Sequence, residues 1–173
     1  DRITLRRARS ELESIVARGL ACIIVIPVHF DTLNRPASAQ RYLAVCHAIP
    51  KELRQFIVWE IQGAPLIKWT TNFSRMVEQL RPLGRAIFVR AHPHELPPGR
   101  LSAVVAKFHD TGIQGVGLDL TCDVQPEAAI MAYVNRFAES VEKRKLTSYL
   151  LGVNTLSLST AAGCAGIGHL AGG

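Results

Sequence analysis

Six short apolar runs, most of them β-branched, recur along the chain with amphipathic stretches between them. This alternation constrains the fold more than any other feature. The runs are Cys22–His29, Phe56–Ile61, Arg85–Arg90, Gly115–Leu120, Ser148–Val153 and the weakest, His169–Gly172. Most are near-continuous, as expected of strands covered on both faces rather than one. A spacing of roughly 30 residues leaves room for one helix between successive strands, which implies right-handed βαβ units and a parallel sheet. Pro27 cannot donate to a sheet ladder, so the first run is expected to lie at an edge or to carry a bulge.

The stretches between the runs read as helices. Residues 3–18 place Leu5, Leu12, Ile15 and Val16 on one stripe, and Gly19 supplies the stop. Ser38 is the expected cap of a helix reaching Ile49, ended by Pro50. Residues 72–83 carry Phe73, Met76, Val77 and Leu80 at helical spacing, and residues 100–110 run up to Gly112. Pro126 opens what is expected to be the longest helix, through Lys143, with Lys143, Arg144 and Lys145 in its last turn where the dipole favours cations. A short helix over 156–165 opens after Thr155. No Pro-, Gly- or Ser-rich linker interrupts the pattern, so 1–173 reads as a single domain, and Pro93–Arg100 is its most loop-like stretch. An open doubly wound sheet and a (β/α) barrel lacking strands both fit. The dinucleotide-binding form of the open sheet loses support because no G-x-G-x-x-G turn follows a strand.

Composition narrows the class. A chain of 173 residues with 48% hydrophobic and 20% charged residues can bury a core and is not disordered. The net charge of +6 suits an anionic partner. No basic stripe interleaved with aromatics is present, so a nucleic-acid polymer is not an expected partner. The four cysteines form no C-x-x-C pair, which points to a reducing, cytoplasmic setting. Cys22 and Cys164 are expected to be buried small hydrophobes. No apolar stretch approaches the roughly 20 residues of a membrane span. Charges persist through Arg18, unlike a signal peptide. The chain opens abruptly in a helical pattern, as a fragment of a longer protein would, and a membrane anchor or sensor is then expected to lie outside it.

In a (β/α) barrel the chemistry sits at the carboxyl ends of the strands. Those ends carry His29, Glu60, Arg90-Ala91-His92, Asp119, Leu151 with Asn154, and Ala171. Glu60 and Asp119 are too few carboxylates for a two-metal phosphoryl clamp. His29, Glu60, His92, His94 and Asp119 include an H-x-H pair. Pro93 between the histidines marks the end of the strand, so they read as loop and core histidines rather than a metal set. No Ser-His-Asp or Cys-His constellation is visible. Trp59 and Trp69 read as core aromatics rather than a binding surface.

In order, these segments resemble the EAL domain, the cyclic-di-GMP phosphodiesterase barrel of bacterial signalling proteins. A helix ending in Arg18-Gly19-Leu20 precedes IIVIPVHFDTL, which resembles the family's "sVNLS" strand; then come IVWEIQG, MVEQLRPLGRAIFVRAH, GVGLDL, SYLLGVNT and GIGHLAGG. Each is similar to one motif of the family, in the family's order, along nearly the whole chain. The strand bearing the Glu-Ala-Leu signature itself would precede Asp1. The resemblance implies an EAL-like barrel incomplete at its N-terminus, with about six parallel strands, in a signalling context.

The departures from the family pattern bear on activity. The family's metal-binding Asn falls at His29, and its metal-binding Glu is kept as Glu60. Its paired aspartates fall at Arg90 and Ala91, and its catalytic Lys at Gly117, while Asp119 is kept. Two later glutamates fall at Leu151 and Asn154, and the guanine-contacting Gln at Ala171. A guanidinium where a metal should sit opposes cation binding. The expectation is a catalytically inactive EAL-like domain with no cofactor and no metal, acting as an interaction or regulatory module. It would work with a protein partner, with a neighbouring regulatory domain, or as a homodimer. The alternative is a non-hydrolysing cyclic-di-GMP receptor in which Arg90 serves a phosphate. An enzyme with a rebuilt metal site is a third reading. The candidate remnants of a ligand site are His29, Glu60, Arg90, Asp119 and Asn154.

Overall fold

A computed structural model describes residues 2–20, 22–67 and 71–172. Trp69 lies outside the described residues. The chain divides into two compact units, residues 1–64 with 69–88 and residues 65–68 with 89–173. The first contains α1 (Arg2–Ala17), β1 (Ile24–His29), α2 (Phe30–Asn34), α3 (Pro36–His47), α4 (Lys51–Arg54), β2 (Ile57–Gln62) and α5 (Thr71–Leu80). β3 (Ala86–Ala91) passes from the first unit into the second. The second continues with α6 (Leu101–Thr111), β4 (Gly115–Asp119), α7 (Glu127–Glu142), β5 (Thr147–Leu151), α8 (Leu156–Cys164) and β6 (His169–Ala171). All six expected strands form, parallel, in the order β1-β2-β3-β4-β5-β6, which is the succession of a (β/α) barrel.

In the first unit, Leu5 and Leu12 of α1 stand two turns apart and are fully buried, and Gly19 follows in the left-handed conformation (φ 73°) that glycine adopts at no steric cost. Residues 57–61 of β2 are buried without interruption, as a strand covered on both faces requires. β1 pairs with β2 in unbroken register from Ile24↔Ile57 to His29↔Gln62, so Pro27 causes no bulge. β1 is first in the strand order, an edge position that tolerates the missing donor. Beneath α3, Tyr42 meets the fully buried Trp59 edge to face at 6.2 Å, a geometry worth about 0.5–1.5 kcal/mol beyond area burial.

Four expectations are corrected. The helix assigned to Ser38 starts at Pro36 with Arg35 as its cap residue, since proline at the first turn needs no donor, and a separate short helix, α2, precedes it. Pro126 stands just outside α7 rather than in its first turn, and α7 equals α1 at 16 residues instead of exceeding it. Lys143, Arg144 and Lys145 lie past the last turn of α7, where Lys145 takes φ 55°. Cys22 is only half-buried because it precedes an edge strand, and Cys164 is exposed at the end of α8; Cys46 of α3 is the buried thiol. Among the described residues, no helix is long and apolar enough to cross a membrane.

Candidate functional site

The carboxyl ends of the strands fall in both units. In the first unit, Glu60 is buried at 2% exposure and its Oε2 accepts from Gln62 Nε2 at 2.6 Å. His29 is half exposed and serves its own chain, accepting through Nδ1 from the Asp31 N–H at 3.2 Å and so capping α2. Its ring lies against Gly63, which adopts φ 66°; a Cβ there would come within 2.8 Å of His29 Cε1. His29 thus has a structural task that its place in the sequence motif does not disclose.

In the second unit, β3 and β4 deliver Arg90 and Asp119 side by side. Arg90 Nη1 lies 3.6 Å from Asp119 Oδ2, and both side chains are mostly withdrawn from solvent. Asp119 Oδ1 also accepts from the Thr121 hydroxyl at 2.6 Å and the Thr121 N–H at 3.0 Å. Burial alone would raise the Asp119 pKa, but the two Thr121 donors, then the charges of His92 and Arg90, outweigh it and hold the carboxyl below the ordinary carboxylate range. Past the end of β3, His92 Nδ1 reaches the Asp119 carbonyl oxygen at 3.2 Å, and the His92 and His94 rings stack at 5.4 Å. His92, His94, Asp119, Cys122, Asp123 and Gln125 line a cleft of about 350 Å³. Asn154, after β5, is exposed.

The face of the sheet next to Asp119 is filled. Gly117 of β4 pairs in register with Tyr149 of β5, and a Cβ built on residue 117 would fall inside the van der Waals envelope of Tyr149 Cζ, Oη and Cε2. Any side chain at this position, a lysine included, requires Tyr149 to move. A divalent cation at the end of β3 does not fit these residues either, because the guanidinium of Arg90 already neutralises Asp119. Among the described residues, no three His, Cys, Asp or Glu side chains converge into a metal-ligating group.

No family model matches the chain, and no curated protein matches it. Solved structures do. The Vibrio cholerae LapD S helix-GGDEF-EAL protein in its apo form superposes with a TM-score of 0.73 at 12% identity over 94% of this chain and 38% of its own. The FimX EAL domain superposes at 0.70, with 14% identity over 95% of this chain. The Xanthomonas citri FimX EAL domain in complex with c-diGMP superposes at 0.67, with 12% identity over 96% of this chain. The fold is EAL-like. The chain spans 64% of each FimX structure, so the EAL-like part described here is shorter than a whole EAL domain as crystallised there.

Within this EAL-like fold, the five residues read from the sequence divide. Arg90 and Asp119 are brought together in the second unit, with His92 beside them, while Asn154 of the same unit is exposed after β5. Glu60 and His29 stand at the ends of neighbouring strands in the first unit, Glu60 held by Gln62 and His29 by the α2 backbone. Sequence reading missed Thr121, although an Asp with a Thr two residues on is a local turn pattern that foretells this hydrogen bond. It also missed Tyr149, which no local signal reveals, because its contact with Gly117 depends on the β4–β5 register.

Proposed function

We propose that residues 1–173 form a catalytically inactive EAL-like domain that serves bacterial cyclic-di-GMP signalling as a protein-interaction or regulatory module, in a reducing cytoplasmic setting. One observation carries this reading: the place beside Gly117, where the family resemblance puts the catalytic lysine, is taken by the ring of Tyr149. The Arg90–Asp119 pair supports it, because a cation-binding strand end becomes an internally neutralised one. Partners of such a module are a protein, a neighbouring regulatory domain or a second copy. Incubation of the purified protein with cyclic-di-GMP and Mg²⁺ or Mn²⁺ is expected to leave the dinucleotide intact; turnover proportional to protein concentration refutes the reading.

A second reading, a non-hydrolysing cyclic-di-GMP receptor, is favoured by the likeness to a FimX EAL domain whose structure holds c-diGMP. It would use Arg90 and the cleft beside His92 and His94. The engagement of Arg90 with Asp119 weighs against it, since a phosphate would have to compete with a carboxylate already in place. Calorimetry decides: a flat titration to about 100 μM limits binding to weaker than roughly −5.5 kcal/mol and removes the receptor reading.

A further inference from the structure

We propose that the groove between α1 and α3 docks an acidic segment of a partner protein, with its carboxylates against guanidinium groups and its apolar side on an alanine-valine floor. The groove encloses about 580 Å³. Arg6 and Arg9 of α1 and Arg41 of α3 stand around it, and Ala44 and Val45 of α3, with Ala48 just past its end, supply its apolar floor. Glu13 is the one carboxylate in the lining, and Arg9 Nε already holds it at 2.7 Å. Arg41 is anchored through Nε to the Ala37 carbonyl at 3.0 Å, which fixes the stem and leaves the terminal nitrogens as the part that can meet a ligand. The side chain of Arg6 makes no hydrogen bond or ion pair among the described residues. The groove therefore carries an excess of two positive charges over an apolar base.

This combination selects the class of occupant. A small inorganic anion would satisfy the guanidinium groups and leave Ala44, Val45 and Ala48 uncovered. A peptide segment with carboxylates on one side and small apolar groups on the other covers both, and the small floor residues let a backbone approach closely. Guanidinium favours such pairing because its planar fork matches a carboxylate bidentately. The inference stands apart from the strand-end reading, since it needs neither loss of hydrolysis nor binding of a nucleotide.

The test is fluorescence anisotropy with a labelled peptide of repeated Glu-Ala-Ala-Leu units, and its Gln-for-Glu counterpart as the neutral probe. The acidic peptide should bind saturably and the neutral one should not. Binding should weaken about tenfold in the R6Q/R41Q variant, two exposed charge contacts being removed. It should stay unchanged in the K143Q/R144Q/K145Q variant, which lowers the net charge elsewhere. Circular dichroism checks that both variants fold. Absence of saturable binding, or equal weakening in the two variants, overturns the proposal. So does displacement of the peptide by an equimolar amount of inorganic tripolyphosphate, which would make the groove a simple anion site.

Discussion

Gly117→Ala is the perturbation that bears most directly on the filled strand face. In an unobstructed strand, replacing glycine by alanine stabilises by about 0.4–1 kcal/mol, because the unfolded chain loses freedom. Here the new Cβ must displace the Tyr149 ring. Overpacking of this kind costs about 1–3 kcal/mol. Less the entropic gain, the net expectation is a loss of up to about 2.5 kcal/mol, read as a lower urea midpoint at unchanged m-value. In a Tyr149→Ala background the obstacle is gone, so Gly117→Ala should become neutral or stabilising. The double-mutant cycle should then show a coupling of about 1–3 kcal/mol between the two positions. Additive effects, with Gly117→Ala equally costly in both backgrounds, would refute the claim that Tyr149 occupies this space.

Two further outcomes follow from the same strand ends and from the core. Asp119→Asn leaves Arg90 facing a neutral amide and should cost about 1–3 kcal/mol at neutral pH. Because the folded-state pKa of Asp119 is depressed, its contribution is present above the unfolded value of about 4 and is lost as pH falls through the folded one. The gap between wild type and variant, measured by urea unfolding, should therefore narrow on acidification; a constant gap from about pH 7 to about pH 3 would contradict this. Burial pushes the Cys46 thiol up to about 12, so a thiol reagent at about pH 8 meets thiolate at a fraction of only about 10⁻⁴. Native protein should label quickly at the exposed Cys122 and Cys164, and at Cys46 only on unfolding, as read by peptide mass mapping; rapid native labelling of Cys46 would show that the packing under α3 is wrong.

The strand succession was legible because hydrophobic runs buried on both faces leave an unmistakable pattern: 57–61 in β2 and 115–119 in β4 are buried throughout. Helix ends were less so. Ser38 carries the right chemistry for a cap, but Pro36 starts the helix two residues earlier, and no periodic pattern over Phe30–Asn34 announces α2. The strand-end residues could be named from motif order, yet their states could not. That Arg90 meets Asp119, that His29 caps a helix and that Tyr149 covers Gly117 all depend on strand register or loop path. Thr121 was within reach, since its bond to Asp119 spans two residues.

We propose that the strand ends of this EAL-like fold do not support hydrolysis. The measurement that tests it most directly is chromatographic analysis of cyclic-di-GMP after prolonged incubation with the protein and Mg²⁺ or Mn²⁺. Intact dinucleotide, with no linear product above the metal-only control, is the expected result. Linear product that accumulates in proportion to protein, and that persists in Glu60→Gln only at a reduced rate, would contradict it.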